Sequence, residues 1–342
     1  METLISSLTP QVVCAINHAS DVAAARREGQ KLADSLGFDE LRAGKLALVI
    51  TEAATNILKH AGQGVLHIGP SQSAAGVGID VLALDDGPGI ADLSASLVDG
   101  MSTAGTSGTG LGAMRRQADE FDVFSEPGRG SVFFMRLWRD LPPPDPCGVE
   151  IAALWRPIAG EEECGDAWGV RCEAGGATLL AADGLGHGPN AARASAAAVR
   201  VLEQPPARSA GDVVQAAHEA LRGTRGAALA VARIDYAADE LRFAGVGNIA
   251  GYVFDDVRRA LISHNGIVGH NMRKVQEFSV PFPEGALCVL HSDGIQTQWD
   301  LDKYPGLQGH SPILVAAVLM RDFLRGRDDA MVLAVRRVGR AA

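Results

Sequence analysis

Several residue types are scarce in this chain of 342 residues. Aromatic residues make up only 5% of it, and its five cysteines are an odd number without CxxC spacing, at positions 14, 147, 164, 172 and 288. This pattern argues against a disulfide framework and against a zinc site. No apolar run approaches the roughly 20 residues of a membrane helix, and no signal-peptide pattern follows Met1. We therefore expect a cytoplasmic protein without a membrane partner.

Basic residues are also in the minority. The chain has 31 Lys and Arg against 41 Asp and Glu, a formal net charge of −10. A nucleic-acid surface needs clustered basic residues, so we expect no nucleic-acid partner. The hydrophobic content of 47% and the charged content of 21% are those of a globular protein. The length exceeds a single typical core and suits two domains of about 150 residues each.

A proline cluster near the middle of the chain predicts where the domains divide. Residues 141–146 read LPPPDP, a composition that excludes both a helix and a central strand. We predict one domain over 1–140, a linker over 141–148 and a second domain over 149–342. A proline-rich linker favours stiff, extended geometry, which would hold the two domains apart.

Periodicity predicts a mixed first half and a strand-rich second half. In the first half it predicts helices at 39–60 and 110–121 and strands at 77–84 and 131–138. In the second half it predicts strands at 168–172, 177–182, 227–234, 241–246, 251–254, 287–291 and 330–335, with helices at 190–203 and 210–221. We therefore expect a two-domain α+β protein whose second domain is a β-sandwich flanked by helices.

A carboxylate and an amide share one face of the first predicted helix. Glu52 and Asn56 are four residues apart, so their side chains project into the same space. An amide oxygen is a ligand for Mg²⁺, and a carboxylate can orient or deprotonate a hydroxyl. A solvated polar face is the alternative explanation for such a common pair.

A glycine-containing segment directly follows the predicted strand at 77–84. Asp85, at the end of the strand, can accept a hydrogen bond from an adenine amino group. Gly87 and Gly89 permit close approach of the backbone to a ligand. Taken alone, the segment is equally compatible with a tight turn.

A second glycine group stands at the start of the next predicted helix. Gly108, Gly110 and Gly112 lie where free backbone N–H groups and the helix dipole favour phosphate oxygens. One glycine loop is a weak signal, but the three elements occur in an order that predicts a nucleotide site.

In this order, the motifs of residues 12–138 resemble the GHKL ATPase superfamily, and most closely the RsbT-like switch kinases and their anti-sigma-factor relatives. The matching segments are 52–56 (EAATN), 85–89 (DDGPG), 99–105 (DGMSTAG), 108–112 (GTGLG), 115–116 (RR) and 119–121 (DEF). The resemblance implies a Bergerat-type α/β sandwich that binds ATP and Mg²⁺. It implies Glu52 as the base, Asn56 on Mg²⁺ and Asp85 on adenine. The implied substrate is a serine or threonine of a small STAS-domain regulator.

Acidic motifs recur through the second half. Hydrolysis of a phosphoester with paired metals needs carboxylates that bridge two ions. The candidates are Asp166, Asp183 with Gly184, Asp293, and Asp328 with its neighbour Asp329. Each alone is also an ordinary turn. Most of them adjoin predicted strands, so a sandwich would gather them at one end, and together they predict a metal site.

Residues 148–337 resemble the metal-dependent protein phosphatases of the SpoIIE and RsbX-like branch. The matching segments are 183–188 (DGLGHG), 244–248 (AGVGN), 266–269 (GIVG) and 292–295 (SDGI). The resemblance implies an α-β-β-α sandwich that holds two Mn²⁺ or Mg²⁺ ions. Asp183 would bridge the ions, Gly184 would contribute its carbonyl, and Asp293 and Asp328 would complete the first site.

The resemblance leaves several roles in this site open. Asp166 would touch a metal directly or through water. Either Asp328 or Asp329 could be the metal ligand, and we favour Asp328. Asn248 would support the site or a loop, or contact the phosphate or the substrate. His187 would act as a proton donor or pack at the start of a helix.

The two motif sets together predict a bifunctional switch protein. One half would phosphorylate, and the other would dephosphorylate, a Ser or Thr of STAS-domain partners, namely anti-anti-sigma or stressosome-type regulators. Another phosphatase or a sigma-pathway regulator is a further candidate partner. In the alternative hypothesis the first half is a nucleotide-dependent docking module without kinase activity. In a third, the two halves act on each other.

Overall fold

The computed structural model describes residues 3–7, 11–96, 110–142, 145–204, 209–272 and 275–339. Its strands are β1 (Thr3–Ser6), β2 (Val12–Ile16), β3 (Gly64–Pro70), β4 (Gly78–Asp85), β5 (Glu120–Glu126), β6 (Gly130–Trp138), β7 (Val149–Arg156), β8 (Asp166–Glu173), β9 (Gly176–Gly184), β10 (Ala227–Asp235), β11 (Glu240–Val246), β12 (Ala250–Phe254), β13 (Arg258–Leu261), β14 (Phe278–Pro281), β15 (Leu287–His291) and β16 (Ala330–Arg337). Its α-helices are α1 (Ala19–Ser35), α2 (Glu40–Asn56), α3 (Leu93–Ser96), α4 (Gly110–Gln117), α5 (Pro189–Val199), α6 (Ala210–Ala220) and α7 (Pro312–Phe323). None of these helices is long and apolar enough to cross a membrane.

The first half is one antiparallel sheet with helices on one face. Its strand order is β2-β3-β4-β6-β5. The helix α2 begins where the side chain of Asp39 accepts a hydrogen bond of 2.7 Å from the Arg42 amide, which satisfies a free N–H of the first turn. The predicted helix at 39–60 is confirmed as far as Asn56, after which a π turn, Ile57–Ala61, ends it. The predicted strands at 77–84 and 131–138 are confirmed as β4 and β6.

Both faces of this sheet are buried. Alternate residues of β6 point to opposite sides of the sheet. Phe133 and Met135 pack against α1, α2 and α4, whereas Val132 and Phe134 belong to a different core that contains α7. Burial on both faces explains why β6 reads as a nearly continuous apolar run, Ser-Val-Phe-Phe-Met, and not as an alternating one.

The second half is a sandwich of two antiparallel sheets. One has the order β1-β8-β9-β10-β11-β14 and the other the order β13-β12-β15-β16-β7. The inner faces enclose one apolar core, the helices α5 and α6 cover the outer face of the six-stranded sheet, and α7 covers that of the five-stranded sheet. The predicted two-domain α+β class, with its α-β-β-α second domain, is confirmed.

The helix α7 was not predicted, and it joins the two halves. Every residue from Pro312 to Met320 is buried, so the helix has an apolar surface all round. One side packs on β7 and β16, and the other packs on the first-half sheet at β4, β5 and β6. Leu82 and Phe134 of the first half therefore share one core with Leu314 and Val318 of α7. The expectation that the linker holds the domains apart is wrong, because apolar faces on both sides of α7 need covering.

Two further expectations are corrected near the N-terminus and the linker. The strand β1 pairs with β8, so Thr3–Ser6 belong to the second-half sheet although they fall within the predicted domain 1–140. Cys147 and Cys172 form a disulfide with a Cα–Cα distance of 5.6 Å. The odd number of cysteines hid it, because Cys14, Cys164 and Cys288 remain free. Two linker residues, at 143 and 144, lie outside the described residues.

Candidate functional site

The first group of predicted residues begins at the end of α2. Glu52 and Asn56 are both partly exposed, and Asn56 is the last residue before the π turn Ile57–Ala61. Turns of this kind are often found at functional sites because they redirect the side chains that follow. The carboxylate and the amide therefore lie on one face of α2, as predicted, beside a local irregularity of the helix.

Asp85 ends β4 and begins the neighbouring loop. Its side chain is 6% exposed, and its Oδ1 atom accepts a hydrogen bond of 2.9 Å from the Gly87 amide. Burial raises the pKa of Asp85 even though this hydrogen bond and the charge of Arg321 oppose the shift. A buried carboxyl group with one oxygen turned to its own loop can present the other to a donor such as an amino group.

The loop glycines are required by close contacts within the protein. Gly89 has a φ of +68°, and a Cβ atom there would lie 2.0 Å from the Glu126 carbonyl oxygen. At Gly87 a Cβ atom would lie 2.7 Å from the Cβ of Ala61, at the end of the π turn. The loop therefore contacts the π turn at the end of α2 on one side and the β5–β6 hairpin on the other. These contacts account for both glycines without a ligand, so their nucleotide-binding role remains a prediction.

The third nucleotide element is described only in part. Gly108 lies outside the described residues, as does the segment 99–105. Gly110 is the first residue of α4 and Gly112 is buried within it. The helix ends at Gln117, earlier than the predicted residue 121, because β5 begins at Glu120. It packs against α2, on the side of the sheet that also carries Glu52.

The second group of predicted residues meets at one end of the sandwich. Asp166 begins β8 and is paired in register with Asp183 on β9. Burial, followed by the charge of Asp183, raises the pKa of Asp166 well above its ordinary value. Burial, followed by the charges of Asp293 and Asp328, raises the pKa of Asp183. The four predicted carboxylates are thus close enough to influence one another.

The structure distinguishes Asp328 from Asp329. Asp329 is buried, and its two carboxylate oxygens accept hydrogen bonds of 2.8 Å each from the amides of Ile158 and Gly165. Asp328 is exposed, and one of its oxygens accepts a hydrogen bond from the Asp329 amide. Asp329 is therefore occupied as a support for the loop that carries Asp166, while Asp328 keeps free oxygen atoms. This geometry supports the choice of Asp328 as the ligand.

Gly184 is the last residue of β9, and His187 lies on the loop between β9 and α5. A Cβ atom on Gly184 would lie 2.2 Å from the Ala191 carbonyl oxygen, so only glycine allows α5 to approach. The Nδ1 atom of His187 lies 2.7 Å from Oε1 of Glu161, and its side chain is 57% exposed. This contact supports the helix-start role of His187 over that of a proton donor.

Asn248 and Ser292 hold the other carboxylates. The Asn248 amide donates a hydrogen bond of 2.6 Å to Oδ2 of Asp293. The Ser292 hydroxyl donates one of 2.6 Å to Oδ2 of Asp166 and accepts one of 2.9 Å from the Met331 amide. Asn248 therefore supports the site. The role of Ser292 was missed, although its position directly before Asp293 was a signal in the sequence.

An open polar cavity adjoins this cluster. It has a volume of about 530 Å³ and is lined by Asp293, Gln296, Thr297, Gln298, Leu324, Arg325, Arg327 and Asp328. Two arginines beside two aspartates suit a ligand that combines a phosphate with a bound cation. The arginines were not recognised from the sequence as part of the site.

The chemistry of the cluster fits divalent metals. Carboxylate and carbonyl oxygens are the ligands that Mg²⁺ and Mn²⁺ prefer. Mutual repulsion and burial raise the pKa of Asp166 and Asp183, and a cation would relieve both. Within the residues that the structure describes, no group of three or more His, Cys, Asp or Glu side chains is already arranged to hold a metal ion. The ligand assignment therefore remains a proposal.

The architecture is that of a two-domain protein. An α/β sandwich of ATPase type is joined to an α-β-β-α sandwich with an aspartate cluster. Residues 17–136 match the histidine kinase-like ATPase domain family, and residues 173–338 match the family of Stage II sporulation protein E (SpoIIE). A solved structure described as the bacterial stressosome, a modular system adapted to control secondary messenger signaling, is 30% identical, with a TM-score of 0.52 over 55% of this chain and 99% of that chain.

Two proteins of Bacillus subtilis (strain 168) are similar to the separate halves. The serine/threonine-protein kinase RsbT is 37% identical over 118 residues, which are 34% of this chain and 89% of the relative. The phosphoserine phosphatase RsbX is 21% identical over 138 residues, which are 40% of this chain and 69% of the relative. The chain belongs to the RsbT kinase family through its first half, which is fused to a PP2C-like phosphatase domain.

Proposed function

We propose that this chain is a bifunctional partner-switching regulator. Its first half transfers phosphate from ATP to a Ser or Thr of a STAS-domain protein, and its second half removes phosphate from such a protein. The observation that carries the proposal is the presence, in one chain, of an RsbT-family domain and a clustered set of acidic side chains in a PP2C-like domain. The similarity of the two halves to a kinase and a phosphatase of one organism supports a shared class of substrate.

The first half supplies positioning for phosphoryl transfer. Asp85 would accept a hydrogen bond from the adenine amino group. The N-terminus of α4, at Gly110 and Gly112, would face the phosphates. Asn56 would hold Mg²⁺, which neutralises charge on the phosphates when bound. Glu52, on the same face of α2, would orient the incoming hydroxyl and accept its proton.

The second half supplies a carboxylate cluster for hydrolysis. Asp183, the Gly184 carbonyl, Asp293 and Asp328 would hold two Mn²⁺ or Mg²⁺ ions, and Asp166 would reach the second ion directly or through water. Bound ions supply Lewis-acid polarisation of the phosphoryl oxygens and of the attacking water. The protein orients its own ligands: Ser292 holds Asp166, Asn248 holds Asp293, and Asp329 ties the neighbouring loops together.

Mass spectrometry of STAS-domain proteins tests both activities in sequence. The full chain is incubated with ATP and Mg²⁺ and a panel of STAS proteins, and after ATP is removed Mn²⁺ is added. The proposal predicts one phosphate gained on a Ser or Thr and then lost. A panel that gains no phosphate, and that keeps phosphate placed on it by another kinase, would refute it.

A specific surface favours a docking role for the first half as a second candidate. Leu41 is 69% exposed and Leu48 is 40% exposed, and both line a cavity of about 770 Å³ with Lys45 and Gln117. At 100° per residue, Leu41, Leu48 and Glu52 fall within about 40° of one another around α2. A STAS-domain protein bound along this line would meet Glu52, with or without phosphate transfer.

The two candidates differ in what Glu52 does. If the first half is a kinase, Glu52→Gln should lower phosphate transfer by at least about 100-fold. Loss of a general base typically lowers a rate by about 10²- to 10⁴-fold. Binding of ATP and of the STAS protein should stay within twofold of the wild type in the same variant. If the wild-type chain binds ATP and the STAS protein but transfers no phosphate, the first half is a docking module.

A further inference from the structure

The helix α7 contacts the first half and also leads directly to the aspartate cluster of the second half. Its C-terminal residues, Arg321, Asp322 and Phe323, lie between the two candidate sites. The proposed function gives each site its own ligand but assigns nothing to the segment between them.

Arg321 connects α7 to the loop at residues 85–89, which is named the nucleotide loop here after its proposed role. Its guanidinium donates a hydrogen bond of 3.3 Å to the backbone oxygen of Asp85 and lies 3.8 Å from Oδ1 of Asp86. The Arg321 side chain is only 4% exposed. A buried arginine of the second half thus contacts the residue on which adenine recognition is proposed to depend.

Arg321 has a second acceptor within its own helix. Its Nε atom lies 2.6 Å from Oδ1 of Asp322, whose other oxygen accepts a hydrogen bond of 2.7 Å from the Tyr304 hydroxyl. The bond from Nε to Asp322 is short, whereas the bond to the Asp85 oxygen is near the limit for hydrogen bonding and the contact with Asp86 is a longer ion pair. Arg321 can therefore strengthen or give up its contact with the nucleotide loop while it remains paired.

A parallel connection runs through the β5–β6 hairpin. The Gly128 amide donates a hydrogen bond of 2.7 Å to the Pro88 oxygen in the nucleotide loop. The next residue, Arg129, donates one of 2.8 Å to the Lys303 oxygen and lies over the Tyr304 ring at 5.1 Å. Tyr304 in turn bonds Asp322, so the loop, the hairpin and the end of α7 form one closed set of contacts.

Toward the aspartate cluster, the chain that leaves α7 is hydrogen-bonded to the Asp293 loop. The Phe323 oxygen accepts a hydrogen bond of 2.9 Å from the Gln296 amide, and the Arg325 amide donates one of 2.8 Å to the Gly294 oxygen. Leu324 and Arg325 are part of the wall of the cavity that contains Asp293 and Asp328. The end of α7 therefore shapes the cavity in which a phosphate would bind.

The distance between the two ends of this connection is short. Arg321 and Arg325 are four residues apart, which is at most about 14 Å of extended chain. The helix before them is fully enclosed by two sheets, and packed interiors transmit a displacement because they contain little free space. A shift at Asp85 that moved Arg321 would also move the strand-like segment at Leu324 and Arg325.

We propose that α7 couples the two sites, so that a nucleotide bound at Asp85 and a phosphate bound beside Asp293 and Asp328 change each other's affinity, with Arg321 as the link. The inference rests on nucleotide and phosphate binding as given in the proposed function. Coupling between sites is reciprocal, so a single factor must describe the effect in both directions. The chain would then use occupancy of its ATP site to set the activity of its phosphatase half.

Two measurements on the full chain test the coupling in Mn²⁺ buffer. The first is the Kd of the non-hydrolysable analogue AMP-PNP, by titration calorimetry, without and with saturating inorganic phosphate. The second is the Ki of inorganic phosphate against hydrolysis of p-nitrophenyl phosphate, without and with saturating AMP-PNP. Coupling free energies between sites usually correspond to factors of about 5 to 150. We expect the two ratios to agree with each other and to differ from one by about fivefold or more.

Variants assign the coupling to α7. Arg321→Gln should bring both ratios to one, and Arg139→Gln, at an exposed arginine paired with Asp140, should leave them as in the wild type. If Arg321→Gln does not fold by circular dichroism, Tyr304→Phe removes only one hydroxyl and should bring both ratios closer to one. Wild-type ratios of one, or ratios unchanged in the variants, would overturn the inference while leaving the proposed function intact. Failure of AMP-PNP or phosphate to bind would overturn the inference and the corresponding half of the proposed function.

Discussion

Asp166 and Asp183 face each other directly across β8 and β9, so two carboxylates project from the same face of the sheet at its end. Side chains in such a pair have Cβ atoms about 5 Å apart, and like charges there repel. Asp166 is only 3% exposed, and its Oδ2 atom accepts a hydrogen bond from the Ser292 hydroxyl. The fold therefore keeps two mutually unfavourable acids together, which is typical of a site built for a cation.

Removal of one of these acids should separate activity from stability. Asp183→Asn should lower Mn²⁺-dependent hydrolysis of p-nitrophenyl phosphate by at least about 100-fold, because the proposed bridging ligand is lost. In the absence of added metal, the same variant should be at least as stable as the wild type, since repulsion with Asp293 and Asp328 disappears. Urea denaturation in EDTA measures the stability, and Asp140→Asn at an exposed position is the control. A variant that is clearly less stable in EDTA would contradict the repulsion.

The two neighbouring aspartates at 328 and 329 should behave differently. Asp329→Ala leaves two amides without acceptors, at about 1 to 3 kcal/mol each, so unfolding should become easier by at least about 2 kcal/mol. Asp328→Asn, which keeps an oxygen acceptor for the Asp329 amide, should keep the wild-type stability but lose Mn²⁺-dependent hydrolysis. Denaturation and hydrolysis assays on both variants test the assignment, and the reverse pattern would make Asp329 the ligand.

The exposed leucines of α2 should matter only for the protein partner. Leu41→Asp and Leu48→Asp place charges on the proposed contact line and should weaken binding of a STAS-domain substrate by about tenfold or more, which is 1.4 kcal/mol. Hydrolysis of p-nitrophenyl phosphate should be unchanged, because neither side chain is near the aspartate cluster. Surface plasmon resonance measures the binding, with Val257→Asp at an exposed position of the second half as the matched control. Equal losses in all three variants would remove α2 as the contact.

The contact between α7 and the first-half sheet should depend on pH through Asp122. Burial acts to raise the pKa of Asp122, but hydrogen bonds from His310 and Ser311 at the start of α7 outweigh it and lower the pKa below its usual value of 3.8. A carboxyl group with a lowered native pKa stabilises the fold above its unfolded-state pKa, and this contribution is lost as pH falls through the native pKa. Asp122→Asn should therefore cost about 0.2 to 1 kcal/mol at pH 7, because Asp122 and His310 are both partly exposed and solvent screens their interaction.

The cost of Asp122→Asn should shrink once the wild-type carboxyl group is itself protonated. Urea denaturation of wild type and variant at pH 7, 5 and 3 measures the difference at each pH. The difference should be smaller at pH 3 than at pH 5. A difference that grows from pH 5 to pH 3 would contradict the lowered pKa.

Local sequence signals predicted the strands that position the candidate residues but not the arrangement of the two halves. The strands that carry Asp85 and Asp183, and the strand that precedes Asp293, were predicted because they are apolar runs closely followed by Asp, and a strand end needs no distant information. The helix α7 was missed because Pro312–Met320 has no polar face, and periodicity distinguishes helices by the contrast between two faces. The helix has no polar face because it is buried between two sheets, so that both of its sides contact apolar side chains.

Roles that depend on the partners of a side chain could not be read from the sequence either. Asp328 and Asp329 are identical residues in adjacent positions, and only the amides of Ile158 and Gly165, more than 160 residues away, distinguish them. Arg321 likewise looks like an ordinary charge near the end of a helix. Its contact with Asp85 joins residues that are 236 positions apart.

In the proposed function, one chain both adds phosphate to a regulator and removes it from the same regulator. The most direct measurement follows a single Ser or Thr of one STAS-domain protein by phosphopeptide mass spectrometry, with wild-type chain, Glu52→Gln and Asp183→Asn. We expect transient phosphorylation by the wild type with ATP, Mg²⁺ and Mn²⁺, phosphorylation by Glu52→Gln that is at least about 100-fold slower, and stable phosphorylation by Asp183→Asn. Phosphorylation by Glu52→Gln at close to the wild-type rate, or removal of phosphate by Asp183→Asn as quickly as by the wild type, would contradict the proposed function.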